Sequence, residues 1–272
     1  AGVIGRISLV QRNFDVTRLP RSWGEIGHGA FRGGGQTFKL DLLPGDKTQT
    51  YSVSLSEPAL FDSDYSGNAS LYMRSRDYNQ YSEDRVGTRF GMGRRFGRRW
   101  TGTAAARLEN IELGNLDPDQ PVDYFEVQDG HLLTTLGLSL VRSTTDDDFI
   151  PSRGTRIELG VEQAGALGGD FTYTVFRGEH DVFFTLDEDF SGNRTILSFR
   201  TRMAYAPQGS GEVPVYERSY LGGQSFRGFD LRTIAPRGIR NDTWTLGDDP
   251  VGGTWLFFWG AEVKRPLYED IL

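Results

Sequence analysis

The chain of 272 residues has no cysteine, only three histidines and no long apolar run. The absence of cysteine excludes a disulfide framework and fits a periplasm-exposed protein that needs no cross-links. A bilayer-spanning helix needs about 20 consecutive apolar residues, so no such helix is expected. No signal peptide is visible at Ala1, so a secreted or outer-membrane protein would be present in mature or trimmed form.

Motifs for catalysis, metal binding and nucleotide binding are also missing. His28, His131 and His180 are far apart and fit no zinc spacing, and the acidic runs 146–148 and 248–249 lack the ligand spacing of a calcium loop. No serine lies in a Gly-x-Ser-x-Gly elbow, and no Gly-rich turn leads from a strand into a helix. The sequence therefore predicts a protein that is not an enzyme and that has no metal site and no cofactor.

The overall charge and composition narrow the class of protein further. The net charge is −7 and the 30 basic residues form no continuous stripe, so a nucleic-acid partner is not expected. Hydrophobic residues make up only 37% of the chain, whereas glycine is abundant at 35 residues. This composition is typical of outer-membrane barrels, in which only alternate side chains face lipid.

Period-2 alternation of apolar and polar residues dominates the chain. In 132–143, for example, Leu136, Leu138 and Leu140 alternate with Thr135, Gly137 and Ser139. The pattern predicts eleven strands in one domain over 1–272, near 2–11, 36–44, 49–58, 68–78, 84–94, 100–113, 132–143, 154–164, 171–187, 194–206 and 254–265. Tight turns at 44–47 and 191–193 and longer connections at 12–35, 114–131 and 207–253 join them, and no segment shows a confident helical period.

Each predicted strand has one apolar face and one polar, often charged, face. A water-soluble lectin-like sandwich would also alternate, with its apolar faces packed together. Two features favour a barrel in lipid: the charges lie at mid-strand, and the segments of about 9–13 residues are long enough for tilted strands that cross a bilayer. A charge on the lipid face would cost about 2–4 kcal/mol at the midplane, which explains its separation by parity. Trp255 and Trp259 would then face lipid, although plain packing explains them equally well.

The loop segment 221–230 carries a lone arginine, Arg227, between Phe226 and the pair Gly228-Phe229. The following strand has a single carboxylate, Glu262, on its polar face. If the strands form a barrel, the loop could fold into the lumen and set Arg227 against Glu262. Phe226 and Phe229 would pack against the lumen, while the backbone freedom for the fold-back would come from Gly222, Gly223 and Gly228. The alternative is an exposed loop arginine without a fixed partner.

Three motifs, in this order, resemble those of the BamA-like outer-membrane assembly and translocation barrels, the bacterial surface antigen family. The first resembles the family's Asn-Phe-x-Gly-x-Gly-Gln turn, interrupted by an insertion at 15–30, and consists of Asn13, Phe14, Gly33, Gly35 and Gln36. The second resembles its Pro-x-x-Gly turn and runs from Pro151 to Gly154. The third, 222–229, is similar to the family's Val-Arg-Gly-Phe/Tyr loop tip, with Phe226 at the position of the usual valine.

The resemblance implies an all-β, antiparallel, up-and-down transmembrane β-barrel in the bacterial outer membrane. Family barrels have sixteen strands, so the chain is expected to hold about strands two to twelve, without the POTRA domains, as a fragment of a longer protein. The segment 207–253 would be the long extracellular loop with the Arg-Gly-Phe tip. In the family a second acid joins the Arg227–Glu262 latch from the next strand, which would lie beyond Leu272.

The function implied is that of an outer-membrane protein assembly factor, which inserts and folds β-barrel precursors. Its expected partners are unfolded outer-membrane proteins, accessory outer-membrane lipoproteins and the lipid bilayer. One alternative lies within transport, a pore of the same superfamily that secretes a passenger protein. The alternative from another class is a passive porin or an outer-membrane hydrolase.

Overall fold

The computed structural model describes residues 5–20, 22–28, 30–78, 81–190 and 192–265. Eleven strands form one antiparallel sheet in which each strand pairs with the next in order. They are β1 (Ile7–Phe14), β2 (Arg32–Leu43), β3 (Thr48–Glu57), β4 (Tyr65–Asp77), β5 (Ser82–Phe96), β6 (Trp100–Gly114), β7 (His131–Ser143), β8 (Gly154–Ala164), β9 (Tyr173–Glu188), β10 (Arg194–Tyr205) and β13 (Trp255–Lys264). The two strands between β10 and β13 along the chain, β11 (Arg237–Ile239) and β12 (Leu246–Pro250), form a separate small sheet.

This order confirms the predicted all-β, up-and-down arrangement, with β1 and β13 as the two edges of the sheet. Most predicted strand limits agree with the observed ones within a few residues. The first strand is the exception, because it was expected near 2–11 and runs from Ile7 to Phe14; residues 1–4 lie outside the described part of the chain. Turn residue Ser191 also lies outside it.

The two faces of the sheet differ as the alternation predicts. We call the face contacted by residues 206–254 the inner face and the opposite one the outer face. Large apolar side chains on the outer face are solvent-accessible, with Phe90 50%, Leu138 63% and Trp259 58% exposed. A sandwich would bury this face, so the apolar outer face excludes that alternative. Trp255, 70% exposed, lies on the outer face as well.

The long connection after β10 has more structure than the sequence indicates. It contains two 3-10 turns, Gln208–Ser210 and Val215–Glu217, and a small hairpin of β11 (Arg237–Ile239) and β12 (Leu246–Pro250). Two short helices, α1 (Trp23–His28) and α2 (Val122–Phe125), lie in other connections and are too short to show a helical period. In the described ranges, no helix is both long and apolar enough to cross a membrane.

A hydrophobic core fills the inner face at the end of the sheet from which residues 206–254 leave. We call this the loop end, and the opposite end the turn end. Ile111 and Leu113 share the parity of Arg107 and Glu109 on β6, so the inner face changes there from charged to apolar. These side chains pack with residues from α2, the neighbouring strand ends and the loop, including Tyr124, Leu133, Tyr173, Val213, Val215 and Val251. Burial of each large apolar side chain contributes about 1.5–3 kcal/mol, so the core holds the base of the loop on the sheet.

Candidate functional site

The tip of the loop contacts the inner face of the last strand. Arg227 Nη1 donates a hydrogen bond to Glu262 Oε1 at 3.0 Å, and Lys264 Nζ lies 3.8 Å from Glu262 Oε2. Glu262 lies seven residues along β13 from Trp255, which pairs with the last residue of β10. At about 3.3 Å per residue, the tip therefore reaches about 23 Å along the strand from the loop end.

The ion pair at the tip is open to solvent. The side chain of Arg227 is 83% exposed and that of Glu262 is 40% exposed. An exposed pair of this kind contributes only about 0–1 kcal/mol, so it does not by itself hold the loop in place. The sequence leads us to expect an enclosed pair, whereas in the structure both side chains are open to solvent.

The aromatic residues of the tip pack against each other and against the strand wall. Phe226 and Phe229 stack with ring centroids 5.1 Å apart, and Phe226 meets Phe258 edge-on at 5.8 Å. Phe258 has the parity of Glu262 on β13, so the rings and the ion pair lie on the same face. The aromatic contacts thus orient the tip toward the inner face.

At the tip, the backbone folds back closely on itself. The amide of Gly223 donates to the carbonyl of Phe229 at 2.8 Å, and Gly222, Gly223 and Gly228 all have positive φ. A Cβ atom at Gly222 would lie 2.1 Å from the carbonyl oxygen of Asp230. Glycine is therefore required at position 222 for both conformation and space.

Gly222→Ala should open the tip, because the added methyl group clashes with backbone that cannot move aside. We expect a loss of about 1–3 kcal/mol from the local fold and faster proteolysis within 222–231. The matched control is Gly209→Ala in the same loop, where a Cβ atom would meet nothing within 4 Å. Equal protease sensitivity of the two variants would contradict the prediction.

The base of the loop is held by a buried ionic cluster that sequence reasoning missed. Glu217, in the 3-10 turn Val215–Glu217, accepts hydrogen bonds from Arg85 Nη1 at 2.7 Å and from Arg107 Nη2 at 3.0 Å. The three side chains are between 6% and 10% exposed. Buried charges must be paired, so the loop carboxylate and the two strand arginines depend on one another.

Further carboxylates complete the ionic cluster. Glu83 lies 2.7 Å from Arg85 Nε, and Glu109 lies 3.3 Å from Arg85 and 3.1 Å from Arg107. Glu162 lies 3.2 Å from Arg107 Nη2. Neighbouring strands therefore supply both signs of charge around the loop carboxylate.

The electrostatics of the cluster favour the charged form of the loop residue. Burial by itself raises the pKa of Glu217, but Arg107 and Arg85 lower it more strongly, from its ordinary value of 4.5 to about 2. Charge-assisted hydrogen bonds to two guanidinium groups stabilise the carboxylate. Glu217 is therefore ionised in the folded protein at neutral pH.

A second arginine of the loop, Arg232, is anchored by aromatic residues. Its Nη1 donates to Tyr81 Oη at 2.9 Å and its Nη2 donates to the carbonyl of Tyr216 at 3.1 Å. The guanidinium lies over the ring of Tyr220 at 4.1 Å, and Arg232 has a left-handed backbone with φ of 61°. The base of the loop is thus fixed from two directions, by Glu217 and by Arg232.

The first family turn joins β1 to β2 at the turn end. Asn13, with φ of 56°, accepts a hydrogen bond on its side-chain oxygen from the amide of Gly35 at 3.0 Å. Gln36 Oε1 accepts a hydrogen bond from the amide of Val16 at 2.9 Å. Phe14 stacks on Phe31 and Phe38 with centroid distances of 5.2 and 5.1 Å, and the glycines at 33 and 35 have positive φ. The contacts of these residues close the turn.

The second family turn, between β7 and β8, also lies at the turn end. Gly154 has φ of 103°, and a Cβ atom there would lie 2.4 Å from the carbonyl oxygen of Thr144. Asp146 accepts hydrogen bonds from the amides of Ser152 and Arg153, the two residues that follow Pro151, at 2.9 and 3.1 Å. The acidic run that begins at Asp146 therefore serves the turn backbone.

The site thus combines residues that the sequence indicates with residues that it does not. The strand arginines Arg85 and Arg107 lie on polar faces that alternation predicts, but nothing marks them out among the other charges. Glu217 lies in a loop without periodicity, and its only signal is the adjacent apolar pair Val215-Tyr216. Such contacts between distant segments depend on the path of the loop.

These features define a class: a membrane-spanning antiparallel sheet with an apolar outer face, a charged inner face and a long connection folded onto that inner face. Comparison with known proteins then gives the family. Residues 30–270 match the Omp85 superfamily domain. This match covers most of the chain, which therefore belongs to the Omp85 superfamily.

Individual relatives agree with this assignment. The chain is 27% identical over 233 residues to the outer membrane protein assembly factor BamA of Nitratidesulfovibrio vulgaris, an alignment covering 85% of this chain and 28% of that protein. It is 25% identical over 142 residues to the sorting and assembly machinery component 50 homolog of Bos taurus, covering 52% of this chain and 28% of that protein. The chain thus spans little more than a quarter of the length of these relatives.

A solved structure shows the same fold. The crystal structure of BamA from Haemophilus ducreyi lacking POTRA domains 1-3 superimposes with a TM-score of 0.78 at 16% sequence identity. The superposition covers 99% of this chain and 53% of that one. Family and fold together confirm the resemblance to a partial BamA-like barrel and indicate a location in the bacterial outer membrane.

Proposed function

We propose that this chain forms the membrane-embedded wall and inner loop of an outer-membrane protein assembly factor that inserts and folds β-barrel precursors. The observation that carries the proposal is the path of residues 206–254, whose base is fixed at Glu217 and whose tip reaches Glu262. The superfamily membership and the names of the relatives support the same function.

The chemistry of such a function is non-covalent, and it uses neither a nucleotide nor a cofactor. In the intact protein, unfolded barrel precursors would add strands to an exposed strand edge, where main-chain hydrogen bonds replace those to water. The anchored loop stiffens the wall from inside while the apolar outer face lies in lipid. The proposed role of Arg227 is a latch that fixes the tip on β13, with Phe226 and Phe229 as its packing contacts.

Loss of the latch should impair assembly of other barrels. Arg227→Ala and Glu262→Ala in the intact protein should each lower the amount of folded, heat-modifiable outer-membrane proteins several-fold. The reversed pair Arg227→Glu with Glu262→Arg should restore part of this loss, because it restores opposite charges at the same distance. Arg237→Ala, at an exposed position of the same loop, is the control. Unchanged barrel levels in both single variants would contradict a latch.

A secretion pore of the same superfamily is the second candidate, because the same loop geometry fits a pore that the loop obstructs. The two candidates differ in which proteins depend on the chain. Depletion should lower many different outer-membrane barrels if the protein is an assembly factor, and only one secreted passenger if it is a pore. Co-purification of outer-membrane lipoproteins as accessory subunits would further support the assembly factor.

A further inference from the structure

The hairpin between β5 and β6 concentrates positive charge at the turn end of an otherwise acidic chain. Four arginines lie within six residues, Arg94, Arg95, Arg98 and Arg99, although Arg95 has the parity of the inner face. Arg142 on β7 is a close neighbour. The chain as a whole has a net charge of −7. We call Arg94, Arg98, Arg99 and Arg142 the arginine patch. The positive charges repel one another, and a bound anionic ligand would reduce this repulsion.

Aromatic residues interleave with the arginine patch on the outer face. The guanidinium of Arg94 lies 5.0 Å from the ring centroid of Tyr65 and 5.5 Å from that of Phe96. Arg142 lies 5.8 Å from the ring centroid of Trp100. Arg94 has the parity of the apolar outer-face residues of β5, and the register pairs Trp100 with Arg142. Arginines stacked on aromatic rings are typical of the boundary between lipid and water.

The spacing of charges along β5 shows where the boundary between lipid and water crosses this strand. On the outer face, the strand is charged at Asp84 and again at Arg94, and the residues between them include Val86, Phe90 and Met92. Ten residues at about 3.3 Å each, tilted by about 40°, span about 25 Å, which matches the apolar band of a membrane barrel. Arg94 thus lies at one surface of the bilayer, level with lipid phosphates.

The boundary at the loop end has the opposite charge. Asp84 pairs in register with Glu112 of β6, and both are exposed. Carboxylates at one surface and guanidinium groups at the other favour anionic lipids in one leaflet only. Because the guanidinium groups are at the turn end, anionic lipids are favoured in the leaflet at that end.

A groove on the outer face continues the arginine patch into the apolar band. It has a volume of about 580 Å³. Its outer-face lining consists of small residues on β6 between larger ones on β5 and β7, namely Phe90, Met92, Ala104, Ala106, Leu136 and Leu138. A lipid acyl chain fits such a groove, which begins four residues from Trp100 along β6. Headgroup contacts and chain contacts are therefore available side by side.

Most of the arginine patch has no competing protein anion. Within the described residues, Arg98, Arg99 and Arg142 form no ion pair. In the same part of the chain, the one ion pair of Arg94 is with Asp64, whose side chain is 82% exposed, at 3.4 Å. We propose that the arginine patch and the groove together bind an anionic phospholipid of the leaflet at the turn end, with its phosphate on the guanidinium groups.

Spin-labelled lipids test this assignment in the intact protein reconstituted into mixed vesicles. The wild-type protein should bind labelled phosphatidylglycerol in preference to labelled phosphatidylcholine. Arg98→Gln with Arg99→Gln should lower that preference by about five-fold for each arginine removed. The control Arg76→Gln with Arg237→Gln removes the same charge elsewhere. An equal loss in both double variants, or no loss in the first, would overturn the proposal.

A second arm separates lipid from free anion. Excess inorganic phosphate at constant ionic strength should leave the bound fraction of phosphatidylglycerol unchanged, because phosphate lacks the acyl chain that occupies the groove. Displacement by inorganic phosphate would show a simple anion site and overturn the assignment to a lipid. This result is independent of barrel assembly, so it does not depend on the proposed function.

Discussion

Replacing Glu217 with alanine should release the base of the loop and cost about 3–5 kcal/mol, the usual penalty for removing one partner of a buried ion pair. The variant leaves Arg85 and Arg107 buried on the inner face without the loop carboxylate that both contact. Neighbouring carboxylates remain, but they belong to the strands and do not hold the loop. The loop would then lose one of the two contacts that fix its base, and Arg232 would remain.

The same interaction predicts a dependence on pH. The pKa of Glu217 is lowered from 4.5 to about 2, so between these values the unfolded chain binds more protons than the folded one. The stabilisation is therefore complete above about pH 4.5 and is lost progressively as the pH falls to about 2.

Two measurements check the prediction for Glu217. Urea unfolding should show the loss of stability, and labelling of a cysteine introduced at the buried Val215 should become faster in Glu217→Ala. Glu212→Ala is the matched control, because Glu212 lies in the same loop, is 77% exposed and pairs with Arg218 at 3.7 Å. Glu217→Gln should reduce the pH dependence between 4.5 and 2. A pH dependence as large as that of the wild-type protein would assign it to other groups.

The sheet could be predicted from the sequence because its physical cause is local. A charge on the lipid face costs free energy at each position separately. The alternation of apolar and polar residues within each strand therefore shows which of its faces is which. All eleven strands of the sheet follow from this rule. The hairpin of β11 and β12 does not, because it is short, lies in the loop and has no buried face of constant parity.

The site was predictable only where a motif recurs. Arg227 and Glu262 could be paired from the resemblance to a family loop tip, and the structure brings their side chains within 3.0 Å. The cluster at the base had no such signal, because Glu217 and Arg85 are 132 positions apart. Contacts of this range depend on how the loop enters the sheet, which alternation does not encode.

An arginine on the outer face should be far more costly than one on the inner face. Leu138 lies in the apolar band of β7 and is 63% exposed to the surroundings of the sheet. Leu138→Arg should cost about 2–4 kcal/mol if placed near the bilayer midplane, since no water is available there to solvate the guanidinium. This variant tests the outer face directly.

The neighbouring residue is the matched control, because the next position on a strand faces the opposite side. Ser139 lies on the inner face, in a cavity that is also lined by Glu158 and Arg177. Ser139→Arg places the same charge on the same strand where water and a carboxylate are available, so we expect a loss of less than about 1 kcal/mol. Urea unfolding of both variants in lipid vesicles measures the difference. Equal losses would mean that the two faces share one environment, and the outer face would then not be the lipid-facing one.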